Sequence, residues 1–318
     1  MLVSIILLVS GLFILVKGAD ILISSSVAIG KRLNVSEFFI GLIVVGFGTS
    51  LCELLVSIDA VIKNSPDISV GNVIGSNIAN ILLVTFAAGI TAELKSIKVS
   101  IFDLSFHLGS HFLFLLIFLF TFLDRSFGLL FLLLFVLYLF KSFRNSTSET
   151  IEESNIENDL FSNLSHLQPI KYGLPISILA IIITLLGADI TVDAAIKISN
   201  ILNVSDSFIG LTIIALGTSL PEIATSITAS KKGKSNIIIG NIIGSNIYNL
   251  LLILGFTSLF ENFSYNKELL SKDVIILFLA SMVFTIIIFK KIKIGKIVSV
   301  LCFIFYLLYL LSLYFSNF

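Results

Sequence analysis

The sequence predicts an all-α integral membrane protein, with ten transmembrane helices arranged as two inverted repeats of five. Three observations lead there. Apolar residues make up 57% of the chain and charged residues only 13%, about half the charged fraction of a soluble domain. The apolar residues fall in blocks long enough to cross a hydrocarbon core of roughly 30 Å. One stretch of sequence, at 39–83, recurs without a gap at 208–252.

Breaking the chain at charged, Pro, Asn and Gly clusters gives spans near 2–30, 37–62, 68–90, 100–122, 127–143, 170–198, 206–230, 236–259, 273–289 and 294–315. The first block carries no basic leader and no small-residue cleavage signature, so it is expected to be a retained helix. Lys and Arg concentrate in one set of loops (Lys31, Arg32, Lys95, Lys98, Lys141, Arg144, Lys171, Lys231, Lys232, Lys234 and 290–296), while the other set holds only Lys63, Arg125, Lys267 and Lys272. Basic loops stay in the cytoplasm, which puts both termini outside in a multi-pass protein of the cell membrane. The chain then divides into a first repeat at 1–144, an acidic cytoplasmic linker at 145–169 and a second repeat at 170–318. The linker, with Glu149, Glu152, Glu153, Glu157 and Asp159 but no glycine-centred loop, reads as a flexible connection and not as a calcium site. A zero formal net charge gives no basic surface for nucleic acid. Cys52 and Cys302 both lie in apolar blocks and are expected to be free thiols.

The repeat extends upstream, pairing Gly18-Ala19-Asp20 with Gly187-Ala188-Asp189 and Leu33-Asn34-Val35-Ser36 with Leu202-Asn203-Val204-Ser205. Five spans separate equivalent positions, and an odd number makes the second copy enter the membrane from the opposite side. Inverted repeats with Gly- or Pro-interrupted helices at matching places are the pattern of secondary transporters, whose site lies near the midplane where the copies meet.

Each copy places one glutamate in mid-helix, in Gly48-Thr49-Ser50-Leu51-Cys52-Glu53 and Gly217-Thr218-Ser219-Leu220-Pro221-Glu222. A carboxylate at that depth costs several kcal/mol unless paired or coordinating. Thr49 and Glu53, like Thr218 and Glu222, are four apart and share a helix face. Pro221 lacks the amide hydrogen that would bond the Gly217 carbonyl, and Gly46, Gly48 and Gly217 loosen the same turn, so a bent helix with freed carbonyls is expected. The next helices carry Asn72, Ser76 and Asn80, and in the second copy Asn241, Ser245 and Asn249, at four-residue steps. On those helices Gly71 and Gly75, and Gly240 and Gly244, form small-xxx-small pairs that allow close packing. The donors are all oxygen, with no thiolate or imidazole, which favours calcium, sodium or magnesium over zinc or copper. Any single buried Ser, Thr or Asn is as readily helix glue; two glutamates in register are not.

These paired elements, GTSxxE followed by GNxxGSN in both copies, resemble the two alpha-repeats of the sodium/calcium exchangers in the cation/calcium antiporter superfamily, over essentially the whole chain. The resemblance implies alternating-access exchange of sodium for calcium, with calcium exported against its gradient by sodium entering down its own, and no cofactor. It implies as ion ligands Thr49, Ser50, Glu53, Ser76 and Asn80 from the first copy, and Ala215 (through its carbonyl), Thr218, Ser219, Glu222, Ser245 and Asn249 from the second; Gly46 supplies the carbonyl equivalent to that of Ala215. It further implies that the first and sixth helices slide across the core. Calcium and sodium ions and the lipid bilayer are the expected partners, with a monomer as the functional unit.

Two departures bear on these expectations. Cys52 stands where the family has proline, so the first-copy bend rests on Gly46 and Gly48. Asn249 stands where potassium-dependent members have aspartate, which argues for potassium independence; proton/calcium exchange remains the alternative coupling. An intramembrane hydrolase is disfavoured by the lack of HExxH or GxSxG, and a channel is left to experiment. Asp20 and Asp189 read as packing or helix-end carboxylates, with Lys17 one turn from Asp20 as its partner. Asp103, His107 and His111 share a face of the fourth helix, with Asp103 expected at the interface and a transition-metal site as the lesser reading. The Phe- and Leu-rich runs at 112–122 and 127–140 read as lipid-facing scaffold.

Overall fold

The structure is a computed structural model, and its described residues are 2–33, 35–62, 66–95, 97–120, 123–146, 169–201, 215–260, 265 and 267–316. The acidic linker, the first part of the seventh span and Lys63 lie outside them. The described residues are helical apart from short connections and one isolated antiparallel bridge, Leu94 to Ile294. Nine of the helices they contain are long and apolar enough to cross a membrane.

In chain order, α1 is Leu2–Leu33. The second helix, α2, runs over Glu37–Ile62 in pieces: Glu37–Ile40, a π-helical turn Gly41–Gly46, Phe47–Thr49 and Leu51–Ile62. The third, α3, covers Pro66–Thr91 with a π-helical turn at Asn80–Val84. Then come α4 (Ile101–Phe120), α5 (Arg125–Ser146) and α6 (Pro169–Ile201). The seventh, α7, has two pieces, Ala215–Thr218 and Leu220–Lys231, and α8 covers Ser235–Thr257 with a π-helical turn at Tyr248–Ile253. The last two are α9 (Lys267–Phe289) and α10 (Lys296–Ser316).

Local chemistry sets several ends. The Ser36 hydroxyl accepts from the Phe39 amide and caps α2. Ser100 and Asp103 form a reciprocal cap on α4, the Asp103 amide donating to Ser100 Oγ at 3.1 Å and the Ser100 hydroxyl donating to Asp103 Oδ2 at 2.5 Å. Asp124 accepts from the amides of Ser126 and Phe127 at the start of α5. α7 ends in a Schellman turn: Gly233 has φ +67°, the Lys234 amide reaches the Ala229 carbonyl at 2.8 Å, and the Gly233 amide reaches the Ser230 carbonyl at 3.0 Å.

The inversion is directly visible in the pairing of α1 with α6. These repeat equivalents run antiparallel, and their contact follows a seven-residue step of small residues. Gly11 lies against Thr191, Gly18 against Thr184, and the Ser177 hydroxyl donates to Ser25 Oγ at 2.7 Å. Close approach of backbones is what small residues contribute in a membrane, where no hydrophobic force distinguishes helix from lipid. The centre of the bundle is α2, α3, α7 and α8. α8 is buried on every face, its Ile237, Ile238, Ile239, Ile242 and Ile243 as well as its polar stripe of Asn241, Ser245 and Asn249, as a helix at the middle of a bundle is. It touches α2 backbone to backbone: a Cβ on Gly240 would collide with the Phe38 carbonyl, and one on Gly244 would come within 2.8 Å of the Leu42 carbonyl. A Cβ on Gly71 would meet a Leu270 methyl at 4.0 Å, and one on Gly75 would meet nothing within 4 Å beyond its own helix among the described residues; residues 207 and 211, equivalent to Phe38 and Leu42, lie outside the described set.

Loops assigned to one side by their charge collect at one end. Leu94 bridges Ile294, the Lys95 amide donates to Ser235 Oγ, the Lys98 amide donates to Asn236 Oδ1, and Lys234 pairs with Glu37 at 2.8 Å. At the other end the Leu123 amide donates to the Tyr265 hydroxyl.

Asp103 sits in the first turn of α4, buried and held by Ser100 and by the Ser142 hydroxyl at 3.0 Å. Two expectations are corrected. Lys17 does not pair with Asp20; its ammonium sits over the Phe13 ring, and Asp20 binds Lys232 at 2.9 Å. The aromatic runs are only partly lipid-facing: Phe114, Phe118 and Phe131 are fully buried, while Leu129, Leu133 and Val136 are exposed.

The contact of α8 with α2 gives a test. Gly240→Val forces a branched side chain into the Phe38 carbonyl and is expected to destabilise by about 1–3 kcal/mol. Gly109→Ala, where no described atom lies within 4 Å, is expected to cost nothing. Thermal denaturation in detergent, followed by circular dichroism, compares the two.

Candidate ion-binding site

The two GTS elements break their helices at the same register. Ser50 has φ −70° and ψ 1°, Ser219 φ −89° and ψ 0°, and a new helix begins at the following leucine in each copy. The first break forms with Cys52 in the place of proline, so proline is not what makes it. Packing holds it: Gly48 receives the Ile181 side chain, Gly46 faces Ser245 and Asn241 of α8, and the preceding π-helical turn already departs from the α-helical ladder. In the second copy Pro221 sits in the first turn of the new helix, where it disrupts no internal bond.

The break frees fewer carbonyls than expected. The Gly46 carbonyl accepts the Ser50 amide at 3.0 Å and the Ser245 hydroxyl at 3.5 Å, and the Val45 carbonyl accepts the Thr49 hydroxyl at 3.0 Å.

Of the eleven residues picked out from sequence, Ala215 is placed by its backbone in the short helix before the second break, and its side chain lies outside the described set. The other ten side chains are all buried. The structure interleaves the copies. Ser76 lies 3.5 Å from Thr218, hydroxyl to hydroxyl; the Thr49 hydroxyl reaches Asn241 Oδ1 at 3.4 Å; Ser245 reaches the same oxygen at 3.4 Å. Each broken helix thus packs against the following helix of the other copy. Asn72 and Asn241 play matched supporting roles. Asn72 Nδ2 donates to the Glu53 carbonyl at 3.1 Å and to Ser57 Oγ at 3.0 Å, and Asn241 Nδ2 to Ser226 Oγ at 3.3 Å and Thr225 Oγ1 at 3.4 Å.

Glu53 and Glu222 are both fully buried. The Thr49 hydroxyl lies beside the Glu222 carboxylate but donates to the Val45 carbonyl; among the described residues no well-formed hydrogen bond and no ion pair reaches any of the four carboxylate oxygens. Also without a partner are Ser50 Oγ, Ser219 Oγ and both amide atoms of Asn80 and Asn249. Two of the π-helical turns fall at these asparagines, one opening at Asn80 and the other including Asn249; such turns often mark functional positions. A buried polar atom left unbonded costs about 1–3 kcal/mol, and a charged one more. Among the unpartnered buried atoms, those of the paired repeat elements are carboxylate, hydroxyl and amide oxygens, the donor set that a hard cation would satisfy.

Two further asparagines, Asn77 and Asn246, were not singled out. They are repeat equivalents, both fully buried, and Asn77 Nδ2 donates to the Asn246 carbonyl at 3.2 Å. Contact between equivalent residues marks the pseudo-twofold axis. Their signal was in plain view as the last letter of each GNxxGSN element.

Asp103, His107 and His111 do not converge on one point. Asp103 is turned to Ser100 and Ser142, His107 Nδ1 lies 3.3 Å from Thr285 Oγ1, and His111 Nδ1 donates to the His107 carbonyl at 2.6 Å. No group of three His, Cys, Asp or Glu side chains suited to a metal occurs among the described residues.

Comparison with known proteins agrees with this geometry. The family model described as sodium/calcium exchanger protein matches residues 3–144 and 172–316. Sodium/calcium exchanger MaX1 of Methanosarcina acetivorans is 33% identical over a 350-residue alignment that covers 98% of this chain and 99% of that protein. Inner membrane protein YrbG of Escherichia coli is 32% identical over 302 residues, covering 92% of this chain and 90% of the other. A solved structure of the sodium-calcium exchanger NCX_Mj is similar with a TM-score of 0.84 at 31% identity, covering 98% of this chain and 99% of that one. With its two halves matched by the family and its fold shared nearly end to end, this chain belongs to the sodium/calcium exchanger family.

Proposed function

We propose that this protein is a sodium-driven calcium antiporter that exports calcium, works without potassium, and acts as a monomer in the cell membrane with both termini outside. The observation that carries the reading is the pair of fully buried, unpartnered carboxylates, Glu53 and Glu222, in repeat register. One calcium ion neutralises both. Sodium ions compete for the same oxygens, and sharing is what turns two binding equilibria into counter-transport, because the site cannot hold both loads at once. The proposed ligands are Glu53 and Glu222 at the centre, with Thr49, Ser50, Ser76 and Asn80 on one side and Thr218, Ser219, Ser245, Asn249 and the Ala215 carbonyl on the other.

Potassium independence follows from the charge count. The fourth-step positions 80 and 249 are both amides, so the site carries two carboxylates and not three. The direction follows from the sodium gradient, which runs inward in cells and drives calcium outward. The basic face of the bundle is the cytoplasmic one on the same charge argument.

Three outcomes are expected. Proteoliposomes loaded with sodium take up calcium-45 from sodium-free medium at a rate unaffected by potassium; uptake driven by a pH gradient with no sodium present would identify proton coupling instead, and a potassium requirement would remove the charge-count argument. Glu53→Gln and Glu222→Gln each lower that flux about a hundredfold, the scale of removing one member of a buried charge arrangement; exchange that survives both changes places the site elsewhere. In ion-free detergent the same two variants unfold about 3 °C or more above the native protein, since each removes a buried uncompensated charge. Added calcium then stabilises the native protein and not the variants, as read by the unfolding midpoint.

A further inference from the structure

We propose that Asp20, Ser24 and Lys232 form a latch that closes the basic end of the ion path by fastening the α1/α6 pair to the turn after α7. This inference rests on the antiporter reading above for its consequence in transport, and on contacts alone for its existence.

Lys232 belongs to the core. Its turn is held by the Schellman bonds, by the Ser230 hydroxyl donating to the Ala88 carbonyl at 2.8 Å, and by the neighbouring Lys234–Glu37 pair. Its ammonium nevertheless reaches out to α1, where it binds Asp20 Oδ1 at 2.9 Å and donates to Ser24 Oγ at 2.6 Å. The Ser24 hydroxyl in turn donates to the Asp20 carbonyl at 2.8 Å, so both acceptors sit on one turn of α1.

The element so fastened covers the site. Leu15 and Ala19 of α1 and Ala188 of α6 pack on Leu220 and Ala224 of α7, the residues two positions before and after Glu222. Lys232 lies ten residues beyond Glu222 on the way to the basic face, about 15 Å along a helix. The seam of small residues between α1 and α6 makes these two helices one body, while most of what α1 presents on its other sides is exposed apolar surface suited to lipid. A body joined to the core, among the described residues, by apolar contacts and this charged tie can part from it when the tie opens. Alternating access requires a closure at one face that can be released.

The repeat register adds an independent line. Asp189 is the counterpart of Asp20, and Lys63 is the counterpart of Lys232, so the acid and its lysine recur together in sequence. A pair retained in both copies at this offset is a feature of the repeat unit. Asp189 is exposed in this structure, and Lys63 lies outside the described residues.

An ion pair this accessible biases an equilibrium by a small factor. In vesicles of one orientation, Lys232→Met and Asp20→Asn are each expected to lower half-saturating calcium at the basic face about fivefold relative to the opposite face. The exchanged pair, Asp20→Lys with Lys232→Asp, is expected to return the ratio to the native value. Glu93→Gln removes the exposed contact with Lys293 at the same face and leaves the ratio unchanged. A ratio unmoved in both single variants, or not restored by the exchange, overturns the latch. Hydrogen–deuterium exchange over residues 18–30 and 229–236, in detergent, reads the tie without transport. Faster exchange in the single variants with recovery in the exchanged pair supports the latch even where the native protein moves no calcium and the antiporter reading falls; unchanged exchange overturns it.

Discussion

Everything in this molecule is arranged around two glutamates that the protein buries and does not neutralise. In water a carboxylate is stabilised by its hydration shell; inside a membrane bundle that shell must be replaced by donors or by positive charge. Glu53 and Glu222 receive neither from the described residues. A structural ion pair would have solved the problem permanently, as Lys234 does for Glu37. On the function proposed above, leaving it unsolved makes the stability of the core depend on a mobile charge, which is what ties ion binding to folding.

The inverted repeat is the economical way to build such a site. One carboxylate balances a monovalent ion; a divalent ion calls for two, brought together from opposite directions so that neither face of the membrane is privileged by construction. The asparagines Asn77 and Asn246 meet near the axis that relates the copies, and the Asn72 and Asn241 amides brace the two broken helices in the same way. The broken helix of one copy packs against the unbroken helix of the other, so neither half of the site exists without the other half.

Much of this was legible in the sequence because it is periodic or repeated. Hydropathy alone gives the spans, the odd number of spans between equivalent glutamates gives the inversion, and four-residue steps place Thr, Glu, Ser and Asn on facing stripes. What could not be read is what depends on backbone geometry or on partners distant in the chain. The π-helical turns at Asn80 and Asn249 leave no composition signal, since they are an added residue in a hydrogen-bond ladder and not a residue type. The partner of Asp20 was assigned by proximity along one helix to Lys17, yet three-dimensional packing gives Asp20 to Lys232 and leaves Lys17 to an aromatic face. The Ser142 hydroxyl that holds Asp103 comes from the next helix, a partner that the spacing along α4 does not reveal. The seven-residue seam between α1 and α6 is visible in the sequence only when both helices are known to touch.

The first-copy helix break shows how local and tertiary causes divide the work. Proline reads from sequence as the origin of the bend, and the first copy lacks it at position 52 yet breaks at the same residue with the same near-zero ψ. In the first copy Gly48 receives the Ile181 side chain of α6 and Gly46 lies against the α8 backbone at Asn241 and Ser245; the glycine that both copies share is Gly48, as Gly217. A break held by packing is a property of the assembled bundle; in the second copy Pro221 adds a fixed φ to the first turn after the break. The two halves of the site are equivalent in their oxygens and unequal in what holds them bent, and that inequality lies in the first copy, at the residue before Glu53.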